Sequence, residues 1–239
     1  MLMALLKGKL SQKEDILTSS AFGVMKYLEP ERVLIPFLAK ASLPDGSKPL
    51  ASIHVAAQPA YEFWPWLTEP GCNNCESDLL IRITSSDERK FLILVEVKYL
   101  SGKSSKAKDE KRSNDQLALQ WNNLESLAQN ESREPVLIYL TAAFCCPVAE
   151  IEASQEDLAE HKHKEANILW LSWRHLWALI RNEKHEMLGD LASVLDHLNL
   201  AIFSGFSEKK TPARIQWKFS VSSDRRADQL QGPLDRRLR

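Results

Sequence analysis

The stretch FLILVEVKYL, residues 91–100, decides how this chain folds. Eight of its ten residues are apolar or aromatic, which is typical of a central strand that is covered on both faces. Two charged residues, Glu96 and Lys98, interrupt the apolar run. Because side chains alternate along a strand, both of them point to the same face. A buried charge is costly unless it is paired or bound to a metal, so this strand predicts a functional site.

A hairpin brings a third charge to this face. The segments 78–84 and 91–99 flank SSDERK, which has the composition of a hairpin loop. A turn centred near Asp87 pairs the two strands so that Asp78 lies opposite Glu96, with their Cβ atoms about 5 Å apart. Two facing carboxylates repel each other unless a cation lies between them. Mg²⁺ is the natural candidate, since it takes one or two carboxylates and keeps water molecules for a substrate phosphate.

An alternative interpretation needs no metal. Glu96 and Lys98 would form a buried salt bridge, and Asp78 would merely end a turn. Residues two apart on one strand have poor geometry for an ion pair, and the salt bridge leaves the third charge unexplained. We therefore favour the cation. A register slip of one residue would turn Asp78 away from Glu96.

The other patterns predict helices and strands around this hairpin. A Ser11–Glu14 capping box begins a helix that Pro30 ends. The run VLIYL, residues 136–140, is typical of a buried strand and follows a helix expected over 115–128. The short connections indicate that this strand runs parallel to 91–99. Weaker patterns predict strands within 51–67, from Ile168 and at 214–219, helices at 150–166, 173–182 and 187–201, and a turn at 71–75.

This order of elements predicts an α/β domain with a mixed central β-sheet flanked by helices. The 239 residues, 44% hydrophobic and 26% charged, suit one globular domain with extensions. We expect the domain to occupy 1–205 and a basic C-terminal extension to occupy 206–239. No apolar run approaches the ~20 residues that cross a bilayer, and the first residues make a poor signal peptide. No membrane association and a cytoplasmic location are therefore expected.

The spacing of the three charged residues resembles a known motif. Asp78, seventeen residues, and then Glu96-Val97-Lys98 are similar to the motif of the PD-(D/E)XK nuclease superfamily, whose fold is called restriction-endonuclease-like. The resemblance covers roughly residues 11–143 and is weaker to about 205. It implies a metal site at Asp78, Glu96 and Val97, with Lys98 orienting or activating the attacking water. Ser77 stands where the superfamily usually has a proline.

The resemblance also extends to the first helix. Many members carry a glutamate there that approaches the metal, within a stretch similar to Glu14-Asp-Ile-Leu-Thr18. Glu14 is therefore a further candidate catalytic residue, and Asp15 is the fallback. The capping box with Ser11 explains Glu14 equally well without any site.

Residues after the catalytic strand supply the remaining candidates. Gln116 and Gln120 lie one turn apart on the next helix, and the resemblance implies a glutamine near the site or the DNA backbone. The alternative for both is an ordinary place on the helix surface. The loop 101–112 carries five basic residues against two acidic ones, and it leaves the strand directly. Three of its lysines are candidates for contacts with the DNA backbone, which would raise the affinity without selecting a sequence: Lys103, Lys106 and Lys108.

The implied function is a Mg²⁺- or Mn²⁺-dependent endonuclease that acts on DNA, in a setting such as bacterial restriction or phage defence. RNA is an alternative substrate, because the chemistry would be the same. No G-x-x-x-x-G-K-[ST] motif occurs, so an ATPase, helicase or specificity subunit would be a separate chain. A homodimer is expected if both DNA strands are cut. The alternative class is a non-catalytic nucleic-acid-binding or assembly subunit that keeps this fold.

The remaining patterns have ordinary structural explanations. Cys72 and Cys75 form a C-x-x-C pair, but zinc needs four well-placed ligands, so reduced thiols are favoured. Cys145 and Cys146 are expected to pack at a strand end. Two histidines in a charged helix are expected to face solvent: His161 and His163. The seven tryptophans are expected to be core or interface anchors rather than a platform for bases, among them Trp170, Trp173 and Trp177.

Overall fold

The computed structural model describes residues 13–69, 72–99, 115–162 and 166–202, which fall in one compact unit that reaches Ile202. The helices are α1 (Lys13–Met25), α2 (Leu34–Leu38), α3 (Gln116–Asn130), α4 (Val148–Lys162), α5 (Trp173–Ile180) and α6 (Glu186–His197), with a 3-10 helix at Pro30–Arg32. The strands are β1 (Ala60–Phe63), β2 (Trp66–Leu67), β3 (Cys75–Glu76), β4 (Leu79–Thr84), β5 (Lys90–Val97), β6 (Glu134–Thr141) and β7 (Ile168–Ser172).

Some predictions fall on residues outside these ranges. They are the capping role of Ser11, the loop 101–112 with Lys103, Lys106 and Lys108, the position of His163, the strand at 214–219 and the extension 206–239.

A five-stranded mixed sheet forms the centre of the fold, in the order β1-β4-β5-β6-β7. Strands β1, β4 and β5 are antiparallel, whereas β5, β6 and β7 are parallel, as the sequence predicted for β5 and β6. The pairing of Leu79 with Val95 gives the predicted hairpin register, because the next pair along the strands is Asp78 and Glu96. The mixed sheet flanked by helices is confirmed.

Two hydrophobic clusters explain why β5 is almost entirely apolar. One face of the sheet, with Ile93 and Val95, packs against α1, α2, α5 and α6. The other face, with Leu92 and Leu94, packs against α3 and α4. A strand covered on both faces needs apolar residues at consecutive positions, so apolar and polar residues do not alternate along it. The core role predicted for the tryptophans is confirmed for Trp170, Trp173 and Trp177, which are buried, and is wrong for Trp64 and Trp66, which are exposed.

Helix α3 follows the predicted 115–128 closely. Asp115 is its N-cap, and its carboxylate accepts hydrogen bonds from the backbone N–H groups of Leu117 and Ala118. Leu117 and Leu124 are fully buried against the sheet. The cap and this apolar side together fix where α3 starts and which side faces β5.

The segment before β4 departs from the predicted turn at 71–75. Here β3 pairs with β2, and the buried Asn123 of α3 holds the segment in place. The Asn123 amide donates to the backbone carbonyl of Asn73, and its oxygen accepts from the Glu69 N–H. Partners some fifty residues away stabilise these strands, so local composition gives no sign of them.

Smaller differences concern single residues. Helix α1 ends at Met25, and Pro30 begins the 3-10 helix instead of stopping α1 directly. Cys146 packs against the core, but Cys145 is exposed, so the prediction that both pack is wrong for Cys145. All four cysteines are free thiols. Within the described ranges, no helix has both the length and the apolar character needed to cross a membrane.

We expect Asp115→Ala to lower the free energy of unfolding by about 1 kcal/mol or more, because two N–H groups at the start of α3 lose their acceptor. Urea unfolding measures the change. Asp115→Asn is the matched control, since an amide oxygen still accepts at the same position. Equal stability of the wild type and the alanine variant would show that the cap does not hold α3.

Candidate active site

The candidate site lies where the carboxyl ends of the parallel strands meet. Glu96 and Lys98 are at the end of β5, and Asp78 directly precedes β4 on the neighbouring strand. The Asp78 Oδ2 accepts a hydrogen bond of 2.7 Å from the backbone N–H of Val97. The predicted hairpin register thus brings the Asp78 carboxylate to the residue that separates Glu96 from Lys98.

Glu96 is 2% exposed, and three donors surround its carboxylate. Lys98 Nζ lies 2.7 Å from Oε1, and the Gln116 amide donates to the same oxygen at 2.5 Å. The Gln120 amide donates to Oε2. The expectation that residues two apart on a strand pair poorly is therefore wrong here. Both side chains share one face, and the long lysine stem bends back along it.

The two glutamines of α3 lie at the site and do not occupy the ordinary helix-surface positions of the alternative interpretation. Gln116 is half-buried and Gln120 is fully buried, and both amides point at Glu96. Their spacing of one turn puts them on the same side of α3. Gln120 contacts Glu96 and is fully buried, and the DNA backbone contact named for it stays a prediction.

Helix α1 contributes a third carboxylate. Glu14, in its first turn, places Oε1 3.7 Å from Lys98 Nζ. Glu14 rather than the fallback Asp15 makes this contact, and its approach to a metal, which the resemblance implies, stays a prediction. The backbone N–H of Lys98 donates to the Leu140 carbonyl at 2.8 Å, which anchors the lysine to β6.

Several charged side chains meet in this cluster. Within the part of the chain that the structure describes, the carboxylates of Asp78, Glu96 and Glu14 lie near the ammonium group of Lys98. Burial, followed by the charge of Glu96, raises the pKa of Asp78 to about 7, although the Val97 N–H and Lys98 oppose the change. Burial also raises the pKa of Glu96. Burial alone would lower the pKa of Lys98, but the carboxylates raise it overall, so the lysine stays charged.

The donor atoms of this cluster are oxygens, which magnesium and manganese ions prefer as ligands. Asp78 uses one carboxylate oxygen for the Val97 N–H and has a second, while the oxygens of Glu96 keep further lone pairs. Val97 has an apolar side chain, so only its backbone carbonyl would serve as a ligand. Across the residues that the structure describes, no three Asp, Glu, His or Cys side chains are grouped to hold a metal by themselves. Mg²⁺ suits such a set because it keeps several waters.

Tyr139 is a neighbour of the site that the sequence analysis missed. It lies beside Glu96 in the parallel register of β5 and β6, and its hydroxyl donates to Glu150 Oε2 at 2.7 Å. Burial raises the pKa of Tyr139 well above its usual range, so the hydroxyl stays protonated. The signal was present, since Tyr139 carries the only polar group in the run VLIYL.

Comparisons with protein-family models, with curated proteins and with solved structures find no match to this chain. The chemistry of the site therefore carries the functional argument.

We expect Asp78→Asn to remove part of the pH dependence of stability. An unfolded aspartate has a pKa of about 4, whereas that of Asp78 is raised to about 7 in the fold. The folded chain therefore holds more protons than the unfolded chain between these values. Its free energy of unfolding should fall as the pH rises from about 4 to about 7, by an amount of the order of a few kcal/mol at most.

Urea unfolding at several pH values, with EDTA present, measures this fall. It should be smaller in Asp78→Asn, which keeps the acceptor for the Val97 N–H. Glu183→Gln, at a half-exposed ion pair with Arg32, is the control and should follow the wild type. The same fall in the wild type and in Asp78→Asn would contradict the raised pKa.

Proposed function

We propose that this protein is a Mg²⁺- or Mn²⁺-dependent endonuclease that hydrolyses phosphodiester bonds in DNA. The observation that carries the proposal is the convergence of Asp78, Glu96 and Lys98 at the end of β5. Buried carboxylates with raised pKa values and an adjacent charged lysine are typical of catalytic sites. A divalent cation would reduce the repulsion between the carboxylates of Asp78 and Glu96.

Each residue of the cluster has a separate role in the proposed reaction. Asp78, Glu96 and the Val97 carbonyl would hold the cation, which when bound polarises a phosphoryl oxygen and lowers the pKa of a coordinated water. Lys98 orients the attacking water or stabilises the charge that develops on the phosphate. Glu14 positions the lysine at 3.7 Å. Gln116 and Gln120 hold the Glu96 carboxylate in one orientation.

The fold class supports this proposal. The mixed sheet, the antiparallel pair β4 and β5, and the parallel strand β6 after α3 agree with the sequence patterns and are compatible with the PD-(D/E)XK superfamily, which the motif resembles. We accordingly propose a restriction-endonuclease-like fold.

The resemblance adds a bacterial restriction or phage-defence setting and a homodimer that cuts both strands. The sequence itself adds a cytoplasmic location and, since it has no P-loop motif, a separate ATPase, helicase or specificity subunit. The lysines of the loop 101–112, which follows β5 directly, would contact the DNA backbone.

A specific observation favours a second candidate function. Three donors already satisfy the carboxylate of Glu96, so the cluster holds its shape without any metal. The chain could therefore serve as a non-catalytic nucleic-acid-binding or assembly subunit. Activity and metal binding separate the two candidates.

We expect the wild type to cleave plasmid or single-stranded DNA in Mg²⁺ or Mn²⁺, and EDTA to abolish cleavage. Asp78→Asn and Lys98→Met should each lower the rate about 100-fold or more, because one removes a ligand charge and the other removes the cationic side chain. Gel assays under single-turnover conditions measure the rates. Single-stranded RNA of the same sequence tests the alternative substrate.

Glu183→Gln, away from the site, is the matched control and should cleave as the wild type does. Folding of each variant is checked by circular dichroism. Cleavage that persists in folded Lys98→Met would indicate a contaminating nuclease. A wild type that neither cleaves DNA nor binds Mn²⁺ would support the assembly subunit instead.

A further inference from the structure

Two exposed tryptophans lie beside Asp78. Trp64 is 39% exposed and Trp66 is 61% exposed, whereas Trp173 is fully buried in the core. Tryptophan is one of the more buried residue types on average, and an isolated exposed ring needs no special explanation. Two exposed indoles within three residues, on a turn whose backbone is hydrogen-bonded to Ser77 and Asp78, indicate a binding surface.

Backbone hydrogen bonds fix these tryptophans to the site. The Trp64 N–H donates to the Asp78 carbonyl at 3.0 Å, and the Ser77 N–H donates to the Pro65 carbonyl at 3.2 Å. In the register of β1 and β4, Phe63 pairs with Leu79, so the next pair along the strands is Trp64 and Asp78. The turn that carries the indoles and the residue that carries the carboxylate are therefore held side by side.

The conformation of Trp64 is unusual for a large side chain. Its φ of 50° lies in the left-handed region, which is strained for a bulky residue and is often found at functional sites. The ring of Phe63 lies 5.7 Å from the Trp64 ring, centroid to centroid. The indole thus packs beside one aromatic ring while Trp64 stays 39% exposed.

We propose that Trp64 and Trp66 bind single-stranded DNA by stacking on its bases, next to the phosphodiester that the site would cleave. This inference rests on the proposed function for the position of the phosphodiester. An indole stacks on any base, because every base has a flat aromatic face. In a duplex these faces are covered by neighbouring pairs, so an exposed indole favours an unpaired strand.

The charges around the indoles indicate stacking rather than attraction to phosphate. The nearby Glu62 is paired with Arg82 at 2.9 Å, and Glu76, opposite Trp66, is exposed. Neither residue adds positive charge. Loss of the indoles should therefore weaken binding equally at low and high salt, whereas loss of a phosphate contact reduces the dependence on salt.

Fluorescence anisotropy of a labelled oligo(dT) with the full chain in EDTA tests this proposal without any cleavage. Trp64→Leu and Trp66→Leu keep an apolar side chain but lose the stacking face. Each should weaken binding about fivefold to 100-fold, with the salt dependence unchanged. Tyr27→Leu is the matched control, since Tyr27 is 78% exposed and lies beyond the far end of α1, about 20 Å along the helix from Glu14.

Hydrolysis of bis(4-nitrophenyl) phosphate, which has no base, separates this proposal from the proposed function. Weaker oligo(dT) binding with unchanged hydrolysis in the tryptophan variants supports both proposals. Weaker binding by the variants of a protein that hydrolyses nothing supports stacking and overturns only the nuclease. Variants that bind like the wild type, or a wild type that does not bind oligo(dT), would overturn the stacking proposal.

Discussion

The carboxylate of Glu96 joins strand β5 to helix α3, and the geometry of the whole site depends on it. Moving a charge out of water costs several kcal/mol unless hydrogen bonds and an opposite charge replace the water. Lys98 provides the charge from the same strand, and Gln116 and Gln120 provide hydrogen bonds from α3. Because both glutamines must face Glu96, the rotation of α3 about its axis is fixed, and Leu117 is directed into the core.

Stability and chemistry place different demands on this cluster. The donors around Glu96 satisfy one carboxylate, so the fold tolerates its burial. Asp78 accepts a hydrogen bond from the backbone N–H of Val97. This bond and the charge of Lys98 lower the pKa of Asp78, but burial raises it to about 7 overall. Burial also raises the pKa of Glu96, in spite of its three donors. A divalent cation between the two carboxylates would favour their charged forms.

The central hairpin and its charges could be predicted from the sequence because they depend on local rules. Alternation along β5 puts Glu96 and Lys98 on one face, and the loop between β4 and β5 sets the register. The rest depends on packing. The two-residue strands β2 and β3 have no periodicity and are held by Asn123 of α3. The burial of Gln120 and the exposure of Trp64 likewise depend on the packing of elements that are far apart in the sequence.

Calorimetric titration of Mn²⁺ into the metal-free protein near pH 7 tests most directly whether these carboxylates form a cation site. We predict a site that is lost in Asp78→Asn and retained in Glu183→Gln. Binding should release protons, because the bound ion displaces the proton that Asp78 partly holds at this pH. Repeating the titration in two buffers with different ionisation enthalpies measures that release. Absence of binding, or equal binding by the wild type and Asp78→Asn, would contradict a cation between Asp78 and Glu96.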